Sequence, residues 1–301
     1  MLKKSLSITN KTSVYLLLTC VGFVFLLPIL KILSGSFMPV NEILDPTVGF
    51  IPGVLYFENY NQAFQVLNLW ENLPRSIMVA LFPALAQTLT AMIVGYGFAR
   101  FEFPLKKTLV ILMMVVFLIP PQVTMIPQFL TMRDYGLLGS IWSMVVPAAF
   151  GQGLNAPLFI LIFYQFFKSI PGSLEEAAEI DGARVITVFF KIAVPMALPS
   201  IIVSLIFSMV WYWNETTLTA LFLQTPGLDS AFMFTTLPLE LQNFTDSFEM
   251  IFPDGAFTVT RVNEGVRMAG MIISILPMLL IYFVLQRWFV EGVDRSGITG
   301  E

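Results

Sequence analysis

The sequence predicts an all-α integral membrane protein with six transmembrane helices, and three observations carry that prediction. The 301 residues are 56% hydrophobic and 12% charged, with a mean hydropathy of +0.80, whereas a soluble domain carries about 25% charged residues. The apolar residues gather into runs of about 20, the length that crosses a bilayer core as a helix. Lys and Arg fall on alternate sides of those runs, as they do in chains that thread a membrane repeatedly.

The runs cover residues 14–33, 76–98, 108–126, 141–166, 195–213 and 268–288. The first is too long for a signal-peptide core and no small-residue cleavage site follows it, so it is read as a retained span. Pro28, Pro83, Gly95, Pro120, Pro121, Pro147, Pro157 and Pro277 lie within or beside the spans. Membrane helices tolerate such residues as kinks where neighbouring protein re-satisfies the freed backbone groups.

With the N-terminus in the cytoplasm, 11 of the 16 Lys and Arg residues lie on the inside. The other five, Lys31, Arg75, Arg133, Arg261 and Arg267, sit at or beyond outer span ends, and 12 of the 20 acidic residues are also outside. That bias predicts cytoplasmic N- and C-termini. Long outer segments then occupy 34–75 and 214–267, and the largest cytoplasmic loop is 167–194.

Composition also excludes chemistry. There is no His, and Cys20 is the single cysteine, so His/Cys metal sites, an internal disulfide and an imidazole base are all ruled out. The net charge of −4, with no basic stripe, gives nucleic acid nothing to hold. No Gly-x4-Gly-Lys-Ser/Thr phosphate loop is present, so no ATP site is expected in this chain. Gly151-Gln-Gly153 is too short for one and reads as a packing or kink site. Ionisable residues cluster at span ends, which leaves an ion-coupled carrier little to work with.

The loop 167–194 is the most informative stretch. Pro171 and Gly172 end the preceding helix, and Ser173 with Glu176 three residues on has the form of a capping box. Glu175 and Glu176 suit the first turn of a helix starting near Leu174. Leu174, Ala177, Ala178 and Asp181 share one face, and the two alanines keep it low enough for another protein to approach closely. Gly182 permits a sharp turn into a second helix, residues 183–192, stopped at Pro195.

Glu176-Ala177-Ala178, then Gly182, Ile192, Val194 and Pro195, resembles the signature of the membrane subunits of bacterial ATP-binding-cassette importers, with Val194 in place of Leu. Further stretches are similar to the smaller membrane subunit of maltose-type sugar importers. These are Glu58-Asn59-Tyr60 with Phe64, Ile119 to Pro127 with Gly136-Leu137-Leu138, Trp213-Asn214-Glu215, Ile180 to Ala183, and Phe289 to Gly292. The long, aromatic outer segment 223–267 departs from that pattern.

The resemblance implies a single permease domain over 1–301, multi-pass in the inner membrane of a bacterium and without catalysis of its own. It implies a second homologous permease subunit, two cytoplasmic ATPase subunits that bind ATP and Mg, and an extracytoplasmic sugar-binding protein. Glu175, Glu176, Ala177, Ala178 and Gly182 would dock on the ATPases and transmit their motion, with Asp181 and Arg184 as charge contacts at the rim. Apart from the resemblance, the long outer segment 224–267, with Phe252, Pro253, Asp254 and Gly255 as its contact candidates, either reaches into the binding protein's cleft or packs as a lid on the membrane domain. The tail 291–301 either inserts between the ATPases or is disordered.

Polar residues within the spans are the candidates for the sugar pathway: Gln87, Thr88, Gln122, Gln152, Asn155, Tyr212 and Asn214, with Thr90 beside them. Their amide and hydroxyl groups are suited to sugar hydroxyls, and the alternative role is hydrogen bonding between helices. Two rival readings stand: the same architecture importing a glycerol phosphate or polyol, and a membrane scaffold or sensor that transports nothing.

Overall fold

A computed structural model describes residues 2–224, 235–253 and 264–295, with side-chain surroundings for those between 11 and 287. The described residues hold no strand. In chain order the helices begin with α1 (Leu2–Gly35), α2 (Val40–Leu44), α3 (Glu58–Val66), α4 (Leu69–Arg100) and α5 (Lys106–Phe117). Next come α6 (Pro121–Asp134), α7 (Trp142–Ala149), α8 (Ala156–Ser169), α9 (Ser173–Ile180) and α10 (Val185–Val188). A π-helical turn (Phe189–Ala193) leads into α11 (Val194–Met196) and α12 (Leu198–Asn214). The chain ends with α13 (Thr217–Leu223), α14 (Leu237–Gln242), α15 (Phe244–Ile251) and α16 (Glu264–Arg295).

Three helices are single, long and apolar enough to cross a membrane: α1 over Lys11–Gly35, α4 over its whole length, and α16 over Glu264–Arg287. Pro28, Pro83 and Pro277 lie inside these helices without ending them. The runs expected at 108–126, 141–166 and 195–213 are not single straight helices. α5 and α6 meet at 98°. Pro120 sits just before Pro121 and takes ψ 133, out of the helical region, because the ring of a following proline excludes it. The second run breaks between α7 and α8, where Gly151 has φ +76 and Asn155 φ +51. The third bends by 72° between Met196 and Leu198.

By packing, the chain divides into two compact units, Met1–Leu69 with Asn243–Leu276, and Trp70–Gln242 with Pro277–Glu301. In the first unit, the Nδ2 of buried Asn59 donates to the carbonyls of Ser36 (3.0 Å) and Met38 (2.8 Å). These tie α3 to the turn after α1. Tyr60 and Ser36 share a hydroxyl contact at 2.8 Å. A Cβ on Gly265 would lie 2.5 Å from the same Asn59 nitrogen and 2.8 Å from the Met38 oxygen, so α16 passes here only because position 265 lacks a side chain.

The second unit is built on the crossing of α4 and α8. A Cβ on Gly95 would lie 2.6 Å from Cβ of Phe163 and 2.9 Å from the Tyr164 nitrogen, which identifies Gly95 as a close-approach site rather than a kink. Around it, Met92, Tyr96, Phe159, Phe163 and Phe167 are buried. Tyr96 meets Phe167 edge-on at 5.2 Å, and Phe159 meets Trp211 at 5.1 Å. Lipid tails are as apolar as these rings, so their contribution comes from close packing rather than from escape from water. Elsewhere in this unit Ser76 Oγ donates to the Asn72 carbonyl at 2.5 Å and accepts the Leu237 N–H at 2.7 Å, at the start of α14.

Candidate functional site

The loop 167–194 is built from both ends toward α9. Pro171 follows α8, and α9 leaves it at 71°. The expected capping box is not formed: α9 begins at Ser173, Gly172 is its N-cap, and no side chain caps it. The first N–H groups are instead taken by main-chain carbonyls, Glu175 N to Gly172 O at 2.9 Å and Glu176 N to the same oxygen at 3.0 Å. Glu176 is thus left exposed.

At the other end the chain follows the expected Gly turn. Gly182 has φ +82, its N–H meets the Glu179 carbonyl at 2.9 Å, and the Ala183 N–H reaches back to Ala178 at 2.9 Å. This pair of bonds is a Schellman motif with Gly182 at the left-handed position. The helical path then runs past Pro195 to Met196. The Val194 N–H bonds to Phe189, five residues back, and this wider π turn directly precedes Pro195, which has no N–H to give.

Buried side chains fasten the loop to the core. Ile170, Phe189, Ala193 and Ala197 join the cluster around Tyr96 and Phe167, and Tyr96 lies 4.8 Å from the Phe189 ring. Arg100, the last residue of α4, supplies the polar tie. Its Nε lies 2.8 Å from Glu175 Oε1, with both side chains only 14% exposed, and its Nη2 donates to the Ile170 carbonyl at 3.1 Å. Glu175 is therefore turned toward the protein while Glu176, Ala177, Asp181, Gly182 and Arg184 face out, with Ala178 half-buried. Beside them Leu174, Ile180, Val185, Ile186 and Phe190 are exposed, Ile180 at 86%. The loop presents an apolar surface edged with acids, held from behind by an ion pair. Sequence reasoning missed Arg100; the available signal was a lone basic residue closing the apolar run 76–98, four residues after Tyr96.

The pathway candidates separate into two groups. Gln87, Thr88 and Tyr212 are buried, whereas Gln122, Gln152, Asn155 and Asn214 are exposed. Gln87 and Tyr212 together hold the α7–α8 break. Gln87 Nε2 donates to the Leu154 carbonyl at 2.8 Å, the Leu154 N–H donates to Tyr212 Oη at 3.1 Å, and that hydroxyl donates to Gln87 Oε1 at 3.0 Å. Thr90 Oγ1 adds a bond to the Ala149 carbonyl at 2.7 Å. Non-helical backbone at membrane depth requires this kind of satisfaction. The Thr88 hydroxyl is buried and finds no partner among the described residues, and Asn214 Nδ2 donates to the Val210 carbonyl at 2.8 Å. Of the outer-loop candidates, Phe252 is half-buried against Phe248 at 5.2 Å and Pro253 is exposed. Asp254 and Gly255, like residues 296–301 of the tail, lie outside the described residues.

Among the described residues the fold is helical, and the short helix α9 is set across the ends of α4 and α8. The family model for the inner membrane component of binding-protein-dependent transport systems matches residues 87–295, and the chain belongs to that family. The resemblance drawn from the signature loop is thereby borne out. A permease protein of the polygalacturonan/rhamnogalacturonan transport system of Bacillus subtilis is 27% identical over 95% of this chain and 97% of its own length. A permease protein of the arabinooligosaccharides transport system of Halalkalibacterium halodurans is 26% identical over 93% of each. In fold, the chain is similar to a bacterial ABC transporter involved in the import of the acidic polysaccharide alginate. That match has a TM-score of 0.75 at 23% identity, covering 92% of this chain and 95% of the other.

Proposed function

We propose that this chain is one of two permease subunits of an ATP-binding-cassette importer and forms half of a pathway for a sugar or oligosaccharide. The observation that carries the proposal is the exposed surface of α9 and α10, joined through the Gly182 turn and held by the Arg100–Glu175 pair. A groove on a cytoplasmic ATPase would receive Leu174, Ala177 and Ile180, with Glu176, Asp181 and Arg184 at its rim. Closure of the ATPases on ATP would push α9, and Arg100 and Phe189 would pass the displacement to α4 and α12. The cargo class is supported by relatives whose names specify oligosaccharide, trehalose and diacetylchitobiose transport.

The membrane topology in this reading has six spans with both termini in the cytoplasm. α1, α4 and α16 each cross singly, α5 with α6 and α7 with α8 cross as broken spans, and α12 crosses after the loop. The charge bias supports that order. The exposed amides of Gln122, Gln152 and Asn155, with the Asn214 side-chain oxygen, are the groups placed to meet sugar hydroxyls, and Gln87 and Tyr212 position the backbone behind Gln152. An extracytoplasmic sugar-binding protein delivers the cargo to the outer segments.

Two substitutions test the assignment. Gly182→Asp and Glu176→Lys should insert normally into the membrane yet lose ATPase assembly or sugar-stimulated ATP hydrolysis. Normal coupled transport by both variants would sink it.

A further inference from the structure

We propose that residues 46–57, between α2 and α3, lie as a shallow apolar collar in the lipid interface at the C-terminal end of α1. These twelve residues carry no charge and are bracketed by Asp45 and Glu58. Phe50, Ile51, Val54, Leu55 and Phe57 all project outward, Ile51 with 84% of its surface exposed. An uncharged segment this apolar on the surface of a protein marks a place where something other than water covers it.

The depth at which the segment hangs indicates that lipid covers it. The Ser34 hydroxyl donates to the Phe50 carbonyl, and the Tyr56 N–H donates to the Phe37 carbonyl at 2.8 Å. The Phe37 and Phe57 rings meet edge-on at 5.4 Å. The segment is therefore tied to the last turn of α1 and the residues just after it. The apolar run of α1 ends at Leu33, and its 20 or so residues at about 1.5 Å each span the ~30 Å hydrocarbon core. Ser34 then stands at the hydrocarbon boundary. Lys31, exposed one turn earlier, has the long stem that lets a cation reach the headgroups from just inside that boundary.

Asp45 and Glu58 stand at the two ends of the collar, and the Glu42 carboxylate meets it at its middle. Two hydrogen bonds from Thr47, side chain at 2.7 Å and main chain at 2.9 Å, hold the Asp45 carboxyl below the usual carboxylate range. Asn61 donates to Glu58 at 3.1 Å. Glu42 accepts the Gly53 N–H at 3.0 Å from the α2 side. The exposed apolar surface of α1, including Leu26, Ile29, Leu30 and Leu33, continues into the collar, and Tyr56 adds the amphipathic ring favoured at the headgroup level.

The inference rests on α1 crossing the bilayer, which the functional reading requires, and not on the direction of crossing. Its test uses single cysteines carrying an environment-sensitive fluorophore. The complex is purified from its native membrane with cysteines of co-purifying chains replaced, and reconstituted in phosphatidylcholine and phosphatidylglycerol vesicles. Ile51→Cys and Leu55→Cys, each in a Cys20→Ala background, report on the collar. Cys20 itself, and Phe25→Cys in the same background, report on α1. The collar probes should be quenched about twofold more by a nitroxide at the headgroup than by one deep in the acyl chains, as for a segment seated ~5–10 Å into the interface. The α1 probes should show the opposite preference. Collar probes that respond to aqueous quencher, or that are shielded from both nitroxides and cross-link to a neighbouring chain, overturn the proposal while leaving the α1 span intact. Failure of both α1 probes to feel the deep nitroxide overturns the span and the collar together.

Discussion

Tyr212 donates its hydroxyl hydrogen to the Gln87 side-chain oxygen at 3.0 Å, and between them the two residues satisfy both polar groups of the Leu154 peptide in the α7–α8 break. The adjacent Gly153 has no room for a side chain, since a Cβ there would lie 2.1 Å from the Gln87 oxygen and 2.6 Å from the Tyr212 oxygen. Tyr212→Phe removes the acceptor for the Leu154 N–H and a donor to Gln87. A buried group left unsatisfied costs about 1–3 kcal/mol. The variant should therefore unfold at lower temperature than the parent and exchange its Leu154 amide faster, while assembling normally. An unchanged Leu154 exchange rate would mean that the break is held by other contacts.

The Arg100–Glu175 pair calls for a double-mutant cycle. With both side chains 14% exposed, the pair lies between a surface bridge of little value and a fully buried one. Arg100→Ala and Glu175→Ala should each weaken the loop's attachment, and the double variant should lose less than their sum. The expected interaction energy is about 1–2 kcal/mol, read from thermal unfolding of the complex. Additive losses would show that the proximity carries no energy.

The long helices α1, α4 and α16 were legible because apolar runs of about 20 residues, such as 268–288, are what a bilayer core selects. Where a span breaks was not legible. Pro83 and Pro120 look alike in sequence, yet the first lies inside an unbroken helix and the second precedes a 98° bend. What differs is the next residue: Pro121 forces Pro120 out of the helical region, whereas Ala84 makes no such demand on Pro83. The loop around α9 was legible because its signals are local, and Gly182 adopts the left-handed turn that the residue type suggested. The cap shifted from Ser173 to Gly172 because main-chain carbonyls were already in reach. Polarity alone did not reveal direction either: Gln87 and Gln152 are equally good sugar ligands on paper, but one is buried in a backbone network and the other is exposed.

Conformation and docking can be separated at Gly182. Its φ of +82 disfavours any L-residue, yet among the described residues no atom beyond its two chain neighbours lies within 4 Å of a Cβ placed there. Ala costs about 1–2 kcal/mol in this region, while Asn and Asp tolerate it better. Gly182→Asn should therefore keep more coupled ATPase activity than Gly182→Ala, and clearly more than Gly182→Asp, which adds a charge to the exposed face. If Asn and Asp are equally inactive, the surface rejects bulk and the charge is irrelevant.

The contact between Asn59 and Gly265 allows a rescue experiment within the first unit. A methyl group on residue 265 would collide with Asn59 Nδ2 at 2.5 Å and with the Met38 carbonyl at 2.8 Å. Gly265→Ala should thus destabilise the unit, as seen in faster proteolysis of the segment around Met38. Asn59→Ala should also destabilise it, because the Ser36 and Met38 carbonyls each lose a donor at a cost of about 1–3 kcal/mol. Combining them removes the side-chain collision but leaves the methyl group facing the Met38 oxygen. The double variant should therefore be less damaged than the two losses added together, yet still less stable than Asn59→Ala alone. A double variant equal to Asn59→Ala would mean that the turn after α1 moves aside for the methyl group. Simple additivity would mean that Asn59 and Gly265 do not press on one another.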